Sequence, residues 1–63
     1  MQTQKLIKAT EQFTGKGTVV SAITTGMMMV EMKSEELAIK VYNSWKKGLS
    51  GQIEISKNKV YAF

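Results

Sequence analysis

Residues 34–51 read SEELAIKVYNSWKKGLSG, and this stretch decides how the rest of the chain is read. Ser34 is an N-cap residue, because a serine hydroxyl accepts from the free amides of a first helical turn. Glu35 and Glu36 follow at the positive end of the helix dipole, and Lys46 and Lys47 stand at its negative end. Leu37, Ala38, Val41, Tyr42, Trp45 and Leu49 recur at the helical period and form one apolar stripe. The spacing predicts a helix over 34–47, stopped by a left-handed residue at Gly48 or Gly51. Ile39 falls outside the stripe, among Glu36, Asn43 and Lys46, and is expected as an exposed apolar contact.

Beyond the helix the period changes to two. Gln52–Ser56 alternates, with Ile53 and Ile55 on one parity, and Lys57-Asn58-Lys59 supplies a turn before Val60–Phe63. A three-residue loop pairs Ile55 with Tyr61 and Ile53 with Phe63, placing all four on one face. A two-residue loop pairs Ile55 with Val60 and turns both aromatics outward. The first register buries more apolar surface and is the one expected.

Before the helix the chain reads as strands. Lys5–Phe13 carries β-compatible residues, with Ile7, Ala9 and Phe13 on one parity. Thr14-Gly15-Lys16-Gly17 makes a hairpin turn, and Thr18–Thr25 is almost entirely β-branched or small. Gly26 permits a bend, and Met27–Lys33 continues to the helix cap as part of one bent strand or as a second one. Gly15-Lys16-Gly17-Thr18 is no phosphate-binding loop, since its lysine precedes the second glycine and a strand follows where a helix is needed. The expected fold is one α+β domain over residues 1–63. It has a mostly antiparallel sheet of four to five strands, one helix packed across one face, and the order β-β-(β)-α-β-β.

One helix covers one face of such a sheet, which puts weight on Met27-Met28-Met29-Val30. Side chains alternate across a strand. If Met28, Val30 and Met32 face the helix, Met27 and Met29 face away from it. Flexible methionines on an uncovered face suit an adaptable contact surface. Met27, Met29 and Ile39 are therefore the expected partner-binding residues, with a sheet edge as a further contact.

Composition narrows the classes of function. The chain has 63 residues and no His, Cys, Asp, Arg or Pro. Without Cys or His it lacks disulfides, zinc ligands and most nucleophile–base pairs. Glu, Lys, Ser, Thr and Tyr remain, but a chain this short has little volume for both a core and a pocket of ~300 Å³. Ser44 and Lys40 are one turn apart on the polar face of the helix. No enzyme activity, cofactor, metal or small-molecule substrate is expected.

The net charge is +4, nine lysines against five glutamates. A basic balance attracts polyanions, yet a surface without arginine lacks the bidentate fork that reads guanine and grips phosphate. Lys46, Lys47, Lys57 and Lys59, with Tyr61 as a stacking residue, form the candidate nucleic-acid surface if the helix end and the last turn meet. MQTQKLIK at the start has no apolar signal core, and the longest apolar run, Met27–Val30, is too short to span a membrane. A cytoplasmic location is expected. The reading that results is a small non-enzymatic regulatory, inhibitor or adaptor protein, of phage or bacterial type. It binds a protein partner or itself as a homodimer through a sheet face or edge. The alternative is a sequence-independent nucleic-acid binder using lysine–phosphate contacts.

Overall fold

The computed structural model describes residues 2–63. Its elements are α1 (Gln2–Thr14), β1 (Val19–Ile23), β2 (Met28–Met32), α2 (Glu35–Gly48), β3 (Ile53–Ser56) and β4 (Lys59–Ala62). The architecture is α+β, with one open four-stranded sheet ordered β1-β2-β4-β3 and two helices. Every neighbouring pair of strands is antiparallel. β2 and β3 are therefore parallel to each other across β4, joined by α2. Counted from β4 through the termini, the order is β-α-β-β-α-β, the split βαβ arrangement entered at a different point.

α2 forms for the reasons its sequence states. Ser34 takes an extended conformation and its hydroxyl accepts from the Leu37 amide at 3.3 Å. Ala38, Val41 and Trp45 are buried, Leu37 and Tyr42 are half-buried, and Ile39 is exposed. The helix does not end on a left-handed glycine. Neither Gly48 nor Gly51 has positive φ, and the extended Leu49 caps the helix by donating its amide to the Trp45 carbonyl at 2.8 Å.

The segment expected as a first strand is the helix α1. Its covered residues, Thr3, Leu6, Ile7, Thr10, Glu11, Phe13 and Thr14, recur three and four apart, while Gln4, Lys5, Lys8, Ala9 and Gln12 are exposed. That is a helical stripe whose polar members are three threonines and, at its margin, Glu11. Thr10, almost fully buried, turns its hydroxyl back to the Leu6 carbonyl at 2.8 Å, and Thr14 does the same to Thr10 at 2.9 Å. This i−4 bonding lets a β-branched polar residue face a helical core. Gly15, at φ +113°, breaks the helix and donates to the Glu11 carbonyl. The two-glycine turn thus leads from a helix into a strand and is no hairpin turn. The Gly17 amide donates to the Glu11 carboxylate at 2.8 Å, so the loop already holds an anion of its own chain.

Thr18–Lys33 forms two strands joined through Thr24–Met27, with Gly26 left-handed. Between Val19 and Ser21 the register shifts, which leaves Val20 as the extra residue of a bulge, 56% exposed. At the other edge the β3–β4 register is Ile53↔Ala62, Glu54↔Tyr61, Ile55↔Val60 and Ser56↔Lys59. The loop therefore has two residues, Lys57 and Asn58, and the three-residue register is not the one adopted. Asn58 is the reason. Its side-chain amide donates to the Met32 carbonyl at 2.7 Å and its own carbonyl accepts from the Met32 amide at 2.8 Å, tying the hairpin tip to the end of β2.

Asn58 stays at negative φ, and the left-handed position falls on Lys57 at φ 53°. A residue with a Cβ is strained there, and glycine is not. Lys57→Gly is expected to raise stability by about 0.5–1 kcal/mol, seen as a higher urea midpoint with an unchanged slope. A lower midpoint would show that Lys57 makes a stabilising contact that offsets the strain.

The core joins Val30, Met32, Val60 and Ala62 from the sheet to Ala38, Val41 and Trp45 from α2, with Leu6 and Phe13 of α1 packed against them. Registered partners share a face, so Ala22, Met28, Val30, Val60, Ala62 and Ile53 all point to this side. Both helices cover it. Among the described residues no layer lies over the opposite side of the sheet.

Candidate functional site: the uncovered sheet face

Three rows of side chains cross this face. The first is Ser21, Glu31, Lys59 and Ser56. The second is Ile23, Met29, Tyr61 and Glu54. Phe63, two residues beyond Tyr61, begins a third, beside Gln52, whose carbonyl accepts the Phe63 amide at 2.9 Å. One half of the face is polar and the other apolar.

The apolar half carries exposed hydrophobic area. Ile23 is 44% exposed and Phe63 62%. The rings of Tyr61 and Phe63 lie nearly parallel, 9° apart, with centroids at 6.4 Å. They point outward because Val60 and Ala62, which alternate with them along β4, are buried in the core on the covered side. Met29 lies between Ile23 and Tyr61 and is only 9% exposed. In the polar half the Ser21 hydroxyl donates to the Glu31 carboxylate at 3.2 Å. The face holds Glu31 and Glu54 against Lys59, so it is close to neutral in a chain of net charge +4.

The residues expected to bind a partner do not share one surface. Met29 faces the uncovered side, as strand parity requires, but its neighbours cover it. Met27 precedes β2, in the β1–β2 turn, and lines a shallow groove at the end of the sheet. Ile39 is exposed on α2, on the far side of the sheet from Met29. The exposed members that sequence reasoning missed are Ile23 and Phe63. The two-residue hairpin register would have found Phe63, and the pairing of Ile23 with Met29 would have found Ile23.

The lysines do not assemble either. Lys46 and Lys47 stand at the end of α2 that leads into the start of β3. Lys57 and Lys59 stand at the tip of the β3–β4 hairpin, which Asn58 ties to Met32 next to the start of α2. The pairs are at opposite ends of the sheet, separated by most of a 14-residue helix, about 16 Å from Glu35 to Lys46 at the usual rise. Lys46 lies instead over the Tyr42 ring, 5.2 Å from its centroid.

The groove has a volume of about 410 Å³, larger than the chain length suggested, and is lined by Thr24, Met27, Met28, Leu49, Ile53 and Phe63 among others. No Glu or Lys lines it. Among the described residues no group of His, Cys, Asp or Glu is placed to hold a metal ion, and no helix is long and apolar enough to cross a membrane. Comparison with protein-family models, with curated proteins and with solved structures finds no match to the chain.

Proposed function

We propose that the chain is a non-enzymatic protein-interaction module and that the uncovered sheet face is its binding surface. The observation that carries this is the placement of Ile23, Tyr61 and Phe63 outward on a sheet whose helices both lie on the other side. Contiguous apolar surface rimmed by polar groups is what protein-binding faces present. The sheet edges are poorer candidates. β1 is distorted by the bulge at Val20 and β3 has four residues, both of which discourage strand addition.

A second reading is single-stranded nucleic acid stacked on Tyr61 and Phe63, as outward aromatics on a sheet allow. The parallel rings support it. Glu31 and Glu54 on the same face oppose it, because phosphates avoid carboxylates, and most of the lysines project from the helices and loops.

Ile23→Lys combined with Phe63→Lys separates these readings. Both sites are exposed, so stability should change by no more than about 0.5 kcal/mol at each. The double variant should lose binding to a protein partner. If the face bound nucleic acid, the unaltered chain would bind single-stranded oligonucleotides at ~50 mM salt, where phosphate contacts are strong, and Phe63→Ala would weaken that binding by removing a stacking ring. The protein reading expects no such binding in either form. A variant that keeps every protein interaction of the unaltered chain would remove this surface from consideration.

A further inference from the structure

We infer that the uncovered face is built to receive a second copy of this chain, in a two-fold dimer whose axis runs along the strands between β2 and β4. This rests on the interaction-module reading and names its partner. The cross-strand register carries it. Face to face about that axis, β2 of one copy lies over β4 of the other at the same height. Glu31 then lies over Lys59 of the other copy, and Lys59 over Glu31, by symmetry. In the next row Met29 meets Tyr61, again twice, and Ile23 lies against the stem of Glu54. Polar row meets polar row and apolar row meets apolar row. An axis across the strands midway between these rows would instead lay the Tyr61 row on the Glu31 row.

The distribution of charge points the same way. A chain of net charge +4 repels itself, and this face, with Glu31, Glu54 and Lys59, is where that repulsion is least. The helices, which bear Lys5, Lys8, Lys40, Lys46 and Lys47 against Glu11, Glu35 and Glu36, are turned outward and held farthest apart. An acidic partner would be drawn to that helical side.

The contact is small. Four strands at about 4.8 Å spacing, with about 15 Å of strand, give a footprint of roughly 300 Å² per copy. The two copies together bury on the order of 600–900 Å², below the roughly 1,200 Å² of tight complexes. The dimer is therefore placed at the weak, transient end of protein associations.

Sedimentation equilibrium up to ~1 mM protein tests this, since that concentration populates even associations of about millimolar strength. The unaltered chain should dimerise. Glu31→Lys alone and Lys59→Glu alone place like charges over one another and should each lower the association constant at least tenfold. An equimolar mixture of the two variants should recover it as a heterodimer, because each then supplies the charge the other lacks. Should either single variant fail to fold by circular dichroism, the chain carrying both Glu31→Lys and Lys59→Glu restores the cross-strand pair and should dimerise like the original. A monomer at ~1 mM, or a mixture no better than its components, overturns the inference. If the monomer still binds another protein through Ile23 and Phe63, the module reading survives with a different partner. If it binds none, both fall.

Discussion

Trp45→Ala is expected to leave the chain unfolded at 25 °C. Trp45 is 8% exposed and packs in the cluster that joins α2 to β2 and β4. Removing a buried tryptophan costs about 3–5 kcal/mol, through lost transfer energy and the cavity left behind. A single core of this size supplies roughly 3–5 kcal/mol in all, and the chain has neither disulfide nor metal-binding Cys or His to add to it. A dimer as weak as the one inferred adds little at micromolar concentration. The far-UV spectrum should show helix lost, and the proton spectrum should lack dispersed methyl signals. Retention of a cooperative thermal transition would mean that α1 and the sheet hold together without α2's largest side chain. Phe63→Ala removes a comparable ring from the uncovered face and should cost little, since Phe63 is 62% exposed.

The contrast between those residues also marks what could be read from the sequence. α2 was legible because its cap, its charges and its stripe agree, and each signal is local. α1 was not, because three of its covered positions are threonines, whose β-branched shape suggests a strand. Only the i−4 bonds of Thr10 and Thr14 show how such residues serve a helix, and those bonds depend on the helix already being there. The hairpin register failed for a tertiary reason. Placing Tyr61 and Phe63 inward looks better in a two-strand account. Yet Val60 and Ala62, on the covered side of β4, are buried in the core with Trp45 and Met32, and Asn58 holds the tip to Met32. Neither constraint is visible within the hairpin itself.

The candidate site was legible to the same limited depth. Strand parity put Met29 on the side away from the helices. It could not show that β1 and β4 flank β2 and cover Met29, because strand order is set by the long connection through α2. The lysine cluster failed likewise. Lys46 and Lys57 are close in sequence, but the intervening β3 carries the chain the length of the sheet. What distinguishes the face, the rows through Glu31–Lys59 and Met29–Tyr61, exists only once β2 and β4 are neighbours.

Gly48→Ala and Gly51→Ala should move stability in opposite directions, although the two residues are three apart. Gly48 ends α2 at negative φ, and a Cβ there meets nothing within 4 Å. Alanine favours the helix over glycine by about 0.5–1 kcal/mol, so this variant should be more stable. At Gly51 a Cβ would sit 2.7 Å from the backbone carbonyl oxygen of Phe63. Backbone cannot yield as a flexible side chain does, so either residues 49–52 or the end of β4 must move. The amide of Phe63, bonded to Gln52 at 2.9 Å, would move with it. Overpacking of this kind costs about 1–3 kcal/mol. Urea midpoints of the two variants should therefore fall on either side of the unaltered chain. The displacement also reaches function, because Phe63 is the most exposed apolar residue on the uncovered face. Gly51→Ala should weaken association through that face even at urea-free concentrations where the variant is folded, whereas Gly48→Ala should not. If Gly51→Ala matches or exceeds the original midpoint, the close approach to Phe63 is absent in solution, and the ring is not held where the face requires it.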